Sequence, residues 1–248
     1  MRHTSATRCL CKQKLNFDIT MAFQPIVDIN SKSIFSYEAL VRGKNGESAF
    51  EILSNVNEDN LYAFDQRCRV TAIETFSALS QTDNLNINFM PQAIYEPQAC
   101  LETTIKSAKR CQFPTKQIIF EVTEQEQVIS RSFLTTIFKT YRENGFKTAI
   151  DDFGEGYAGL SLLSGFQPDL IKLDMSLITD IQNNHAKQAI LKGMIVTCDM
   201  LNVKLLAEGV ETRAEYEYLK QAGLTLFQGY YFAKPVIESL PTVDWHKV

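Results

Sequence analysis

Histidine is scarce in this chain: three in 248 residues, at His3, His185 and His246. They lie far from each other in sequence, which argues against a histidine-rich zinc or iron centre. Excess charge is also missing. Twenty-five basic against twenty-nine acidic residues give a formal charge of −4, so there is no broad basic surface for duplex nucleic acid. No apolar run approaches the ~18 residues that would suggest a membrane span. Arg2, Arg8, Lys12 and Lys14 near the start are not followed by the apolar core of a signal peptide. There is no internal repeat and no low-complexity segment. The six cysteines, Cys9, Cys11, Cys68, Cys100, Cys111 and Cys198, are scattered. Most fall in segments that read as helix or core, where free cysteine acts as a small apolar residue. Cys9 and Cys11 with His3 make only a short, incomplete metal-ligand set. A reduced, cytoplasmic setting is expected.

What is present is an alternation. Residues 21–27 and 34–42 read as strands joined by a tight polar turn. A helix follows over about 61–80, with Phe64, Cys68, Ala72, Phe76 and Leu79 at helical spacing. Strands at 85–89, 117–122, 146–150, 169–174, 203–207 and 224–228 alternate with helices at 98–110, 130–144, 184–201 and 213–222. In the helix over 184–201, Ile190, Met194, Cys198 and Leu201 are expected on one buried face. This is the order of βαβ units. About eight strands in ~250 residues is the size of a (β/α)8 barrel. The tight first connection makes one strand antiparallel. The α/β alternative is an open, doubly wound sheet. Residues 1–20 are polar and are expected to be an N-terminal arm or linker remnant; 21–248 is read as one domain.

The ends of the strands carry the chemistry. Glu38, Asn88, Glu121, Asp151 with Asp152, Lys172 with Asp174, Glu208 and Gln228 each stand at or near a strand's C-terminal end. A single aspartate after a strand is usually a turn residue or helix cap. In a parallel barrel, however, these ends converge on one mouth. Several carboxylates crowded there repel one another unless cations sit between them. Oxygen ligands without histidine suit Mg²⁺ or Mn²⁺ better than zinc. The mouth therefore points to metal-dependent hydrolysis of a phosphate ester.

The ordered set "YEALVR", "NINF", "FEVTE", "IDDFGEGYAGL", "IKLD", "AEGVET" and "QGYYFAKP" resembles the EAL-domain family of cyclic di-GMP phosphodiesterases, over residues 21 to 240. Each motif is weak alone and the set is specific. "NFMPQAIYEP" and "FQPDLIKLDM" are most similar to EAL domains that stand alone or follow a photoreceptor domain. The resemblance implies a modified TIM-like (β/α)8 barrel with one antiparallel strand. It implies hydrolysis of cyclic di-GMP to the linear dinucleotide pGpG in bacterial second-messenger signalling, with two Mg²⁺ or Mn²⁺ ions and Ca²⁺ as an inhibitory substitute. It makes Glu38, Asn88, Glu121 and Asp151 ligands of one metal, with Asp151 bridging to a second held by Asp152 and Glu208. Lys172 would orient the attacking water or offset charge on the phosphorane, with Asp174 and Glu211 in support. Arg42 would meet a substrate phosphate, which its planar fork suits, and Gln24, Leu40 and Gln228 would line the nucleotide site. Glu124 would anchor the glycine-containing loop after Asp152. A homodimer is the expected assembly.

Four positions depart from the family pattern: Glu155 stands for threonine, Ala158 and Gly159 for two serines, and Met90 for serine. They lie in or near the loop that couples the dimer interface to the metals in that family. Tyr230, Tyr231 and Phe232 are open to two readings, stacking on guanine or packing at the barrel rim. Two other functions remain in view. One is a catalytically weak cyclic di-GMP receptor or protein-interaction module, against which the complete ligand set argues. The other is an unrelated metal-dependent esterase or cyclase on the same barrel.

Overall fold

A computed structural model describes residues 15–80, 82–123, 130–156 and 159–248. Strands β1 (Ile19–Asp28) and β2 (Ser33–Gly43) form a hairpin. The helices α1 (Ala49–Leu53) and α2 (Leu61–Leu79) lead to β3 (Asn84–Asn88), and α3 (Pro97–Arg110) to β4 (Ile118–Thr123). Then come α4 (Arg131–Glu143), β5 (Lys147–Phe153), α5 (Gly159–Gly165) and β6 (Leu170–Leu173). The chain continues through α6 (Met175–Ile178), α7 (His185–Leu201), β7 (Lys204–Ala207), α8 (Arg213–Gln221) and β8 (Leu226–Phe227). A last short strand, β9 (Val236–Ile237), adds to the outside of β1.

The sheet runs β2-β3-β4-β5-β6-β7-β8-β1 and closes through the β1–β2 pairing. It is a closed eight-stranded barrel and not the open sheet. β2 through β8 are parallel neighbours, whereas β1 is antiparallel to both β2 and β8. The short turn at residues 29–32 enforces this, because a parallel return needs a crossover of a dozen residues or more.

Alternation along each strand separates two cores. Outward residues such as Phe120, Val122, Ile171 and Leu173 pack under the helices. Inward residues at the end of the barrel opposite the mouth, Ile26, Ile119, Ala149, Leu170, Leu206 and Leu226, plug it with an apolar layer. Two residues further along β4 and β6, the same inward face carries Glu121 and Lys172. The floor of the mouth is thus dry and its next layer ionic.

Two helix faces differ from the sequence reading. In α7, Leu191, Met194 and Cys198 are buried, while Ile190 is 49% and Leu201 36% exposed. Leu191, seven residues or about two turns before Cys198, lies on the Cys198 side of Met194, whereas Ile190 and Leu201 fall on its other side. In α2, Phe64, Ala72 and Phe76 are buried and Cys68 is half-buried, but Leu79 in the last turn is exposed.

Candidate metal centre

The mouth at the C-terminal strand ends is built from inward-facing side chains one pleat above the apolar plug. Gln24 and Glu38 face each other across β1 and β2. Asn88 and Glu121 are register partners across β3 and β4. Period-two alternation aims each of these into the barrel.

Asp151 and Asp152 pose a separate problem, since successive residues of a regular strand point to opposite faces. The register of β5 against β6 shifts between Ile150 and Phe153, and Asp152 takes a left-handed backbone with φ of 51°. This bulge turns both carboxylates toward the mouth, as bulges do when they re-aim a side chain. The Asp152 backbone N–H donates to Asp151 Oδ1 at 3.0 Å. The turn then passes through Gly154, whose φ of 109° suits glycine.

The carboxylates fall into two groups of oxygens, each mutually within 4.8 Å. One is Glu38, Glu121 and Asp151; the other is Asp151, Asp152 and Glu208. Asp151 belongs to both. The Lys172 Nζ sits among them, 2.7 Å from Glu208, 2.9 Å from Asp151, 3.1 Å from Glu121 and 3.5 Å from Glu38. Lys172 is 1% exposed.

Neutral amides hold the carboxylates in place. Asn88 Nδ2 donates to Glu38 Oε1 at 2.9 Å, which leaves Asn88 Oδ1 free to face a cation. Gln228 Nε2 donates to the other Glu38 oxygen at 2.7 Å and to Gln24 Oε1 at 3.3 Å. Gln24 Nε2 in turn donates to the Ala233 carbonyl at 3.1 Å. Asn86, fully buried, donates to Glu121 Oε1. The sequence reading missed Asn86, although its place two residues before Asn88 puts it on the same inward face.

Burial and like charge push three of these acids, Glu121, Asp152 and Glu208, toward protonation. Glu121 rises to about 8, chiefly through burial, with Glu38 and Asp151 adding to it against the opposing pull of Lys172 and Asn86. Asp152 rises to about 6 through burial and the Asp151 charge. Glu208 lies well above the ordinary carboxylate range through burial and Asp151. Burial alone would lower Lys172, but its four carboxylate neighbours hold it well above its usual value.

The remaining expected residues divide. Asp174 is buried beside the cavity, where its carboxylate caps α6 by accepting from the Ser176 backbone N–H at 2.8 Å. It also approaches Asp152 and Glu155 in a third acidic group. Glu211 is exposed on the cavity rim. The neighbouring Glu215, not singled out from sequence, accepts from the backbone of Asp180, Glu211 and Thr212 and fixes that rim. Leu40 lines a separate apolar cavity beside Asn88. Arg42 does not reach the acidic cluster; its guanidinium donates to the Val41 carbonyl at 2.7 Å. Glu124, Ala158, Cys9, Cys11 and His3 lie outside the described residues. Among the three aromatics, Phe232 is buried and Tyr231 stacks on Tyr216 with centroids 5.3 Å apart. Tyr230 alone lines the acidic cavity, 54% exposed.

With this geometry in view, the comparisons with known proteins are specific. The EAL domain model matches residues 10–235. The chain belongs to the EAL domain family. A standalone versatile EAL protein from Vibrio cholerae O395, solved in its c-di-GMP bound form, is 52% identical with a TM-score of 0.91, over 94% of this chain and 99% of that one. Klebsiella pneumoniae BlrP1, solved as a manganese/cy-diGMP complex, is 35% identical with a TM-score of 0.85, over 91% of this chain and 58% of that one. The blue light- and temperature-regulated antirepressor BluF of Escherichia coli is 34% identical over 226 residues, which is 90% of this chain and 56% of BluF. The same bacterium has relatives named cyclic di-GMP phosphodiesterase PdeR and probable cyclic di-GMP phosphodiesterase PdeG. The EAL chain thus spans about half the length of BluF. No helix among its described residues is long and apolar enough to cross a membrane.

Proposed function

We propose that this EAL chain is a metal-dependent phosphodiesterase that hydrolyses cyclic di-GMP to the linear dinucleotide pGpG. The observation that carries the reading is the pair of carboxylate groups sharing Asp151, with Lys172 at their centre. The donors fit hard divalent cations, since every one is an oxygen and the protein supplies one ammonium against five carboxylates. Glu38, Asn88, Glu121 and Asp151 would hold one Mg²⁺ or Mn²⁺, and Asp151, Asp152 and Glu208 the other. Such a pair supplies Lewis acidity and activates water for in-line attack on phosphorus. The cyclic di-GMP seen with BlrP1 and the Vibrio protein supports the choice of substrate.

The protein's own groups prepare the reaction. Asn88, Gln228 and Asn86 fix carboxylate oxygens through N–H donors, so the site needs little rearrangement when charge builds. Lys172 places an immovable positive charge beside the reacting phosphate. Gln24 and Gln228 line the cavity for the nucleotide, with Leu40 in the separate apolar cavity beside Asn88 and Arg42 for a phosphate. Asp174, buried beside the cavity, and Glu211, on its rim, act in support. Water adds across one phosphodiester bond, opening the ring and leaving the second diester intact. We assign a homodimer, supported by the exposed apolar residues Ile190, Val196, Met200 and Leu201 on α7. The unpaired Cys68, Cys100, Cys111 and Cys198 fit a reducing cytoplasm.

The test is incubation of purified protein with cyclic di-GMP and Mn²⁺ or Mg²⁺, with chromatography of the products. Appearance of the linear dinucleotide supports hydrolysis. Tight binding of cyclic di-GMP with no product under either metal would instead favour a receptor or interaction role, the reading that similarity to an antirepressor brings forward.

A further inference from the structure

Behind the metal centre, α2 carries an ion pair that the chemistry above does not use. Asp65 Oδ2 lies 2.7 Å from an Arg69 guanidinium nitrogen, and both side chains are essentially sealed from solvent. Burying two charges costs several kcal/mol per ion before their attraction offsets it, and apolar residues often serve stability as well or better. Such a pair in a largely apolar core calls for a role beyond stability.

Its contacts are directional, and they converge on the ends of β3 and β4. Asp65 Oδ1 accepts from the Met90 backbone N–H at 2.9 Å, two residues beyond Asn88. The guanidinium lies 5.6 Å from the ring centre of Phe89 and 5.2 Å from that of Phe120. Phe89 follows Asn88, and Phe120 precedes Glu121. Arg69 also donates to the Tyr141 hydroxyl at 3.0 Å, which ties it to α4. The two strand ends are themselves joined, since the Phe89 N–H donates to the Glu121 carbonyl at 3.0 Å. A cavity of about 280 Å³, lined by Asp65, Cys68, Asn88 and Met90 among others, adjoins this corner. With that space beside it, packing alone does not fix the end of β3.

We infer that Asp65 and Arg69 are positioning residues, a buried clamp that sets Asn88 and Glu121 at the spacing a divalent cation requires. The clamp acts through backbone and rings; neither residue touches the metal. The inference rests on the metal reading given above.

Two paired variants test it, both free of a stranded charge and so expected to fold. Asp65→Leu with Arg69→Met removes the clamp entirely. Asp65→Asn with Arg69→Met keeps an acceptor for the Met90 N–H. Melting curves of metal-free protein and calorimetric Mn²⁺ titrations are measured for both and for wild type. The leucine pair is expected to melt within a few degrees of wild type yet bind Mn²⁺ at least tenfold more weakly. The asparagine pair is expected to recover much of that affinity. Wild-type Mn²⁺ affinity in the leucine pair overturns the clamp. So does a loss of affinity that merely follows the loss of melting temperature in both variants. Failure of the wild type itself to bind Mn²⁺ sinks the metal reading, and the clamp with it.

Discussion

Replacing Lys172 with methionine keeps its length and removes its charge, and the cost follows from the cage around it. Four carboxylates lie 2.7 to 3.5 Å from its Nζ. Coulomb's law at short range would suggest a very large penalty, but a carboxylate stripped of its partner takes up a proton instead of staying charged. That cost is about 1.4 kcal/mol for each pH unit above its ordinary pKa near 4. Glu121 and Glu208 already tend to hold protons, for reasons of burial, so roughly one further proton is needed. At pH 7 this gives a loss of about 4 kcal/mol, in line with the ~3–5 kcal/mol typical of breaking a buried pair. For a chain of this size it corresponds to a fall of about 8–16 °C in melting temperature. At pH 5 the loss should shrink to about 1 kcal/mol, because the proton then comes cheaply. Melting metal-free Lys172→Met and wild type in parallel from pH 5 to 8 measures this directly. Saturating Mn²⁺ should narrow the gap, while turnover stays at least about a hundredfold down, as for loss of a charge-stabilising group. Equal melting temperatures at pH 7, or a deficit independent of pH, would refute the view that Lys172 neutralises this cluster.

Chelation should abolish hydrolysis and Mg²⁺ or Mn²⁺ should restore it, while Ca²⁺ binds with little turnover because its looser geometry places the water less well; full activity after exhaustive chelation would exclude the two-metal reading. Metal affinity should rise at least about tenfold per pH unit between pH 6 and 8 and flatten above, since Glu121, raised to about 8 by burial, must lose its proton to bind a cation. The same raised pKa means the metal-free fold holds a proton that the unfolded chain releases near pH 4.3, so its stability should fall as pH rises from there to about 8. Calorimetric Mn²⁺ titrations and melting curves across that range check both signs. Gly229→Ala would place a methyl carbon 2.0 Å from the Val210 carbonyl oxygen, prying apart the ends of β7 and β8; a destabilisation of about 2 kcal/mol or more is expected in urea unfolding. Asn86→Leu removes the donor to Glu121 without a large change of volume, and should weaken Mn²⁺ binding several-fold in calorimetry while the protein remains folded.

The ends of the strands were readable because they break a pattern. A charged residue at or near the end of an apolar run stands out, as Glu121, Asp151, Lys172 and Glu208 do, and Glu38 interrupts one in "YEALV". The antiparallel β1 was equally legible, since chain length alone forbids a parallel return over four residues. What escaped was the support. Asn86 lies inside its strand, where a buried asparagine looks like any polar alternation facing solvent. Asp65 and Arg69 stand four apart on a helix, which in sequence is the signature of an ordinary surface ion pair. Only the tertiary packing of Phe89, Phe120 and Tyr141 around Arg69 shows the pair to be interior.

The bulge at Asp152 escaped for a related reason. Two adjacent aspartates announce charge, but nothing local says that a left-handed residue will bring both into one mouth. That conformation is unfavourable for any residue other than glycine, with asparagine and aspartate the least penalised. Its cost must be offset by what surrounds it, and here the surroundings are Asp151 on one side and the close packing of Phe153 on the other. The strain and the chemistry thus have the same origin. A regular strand would have been more stable locally and would have sent Asp152 into the apolar layer under the helices, leaving the second group of carboxylates incomplete. Strain at this one residue is the condition for Asp151 to serve both groups of carboxylates at once.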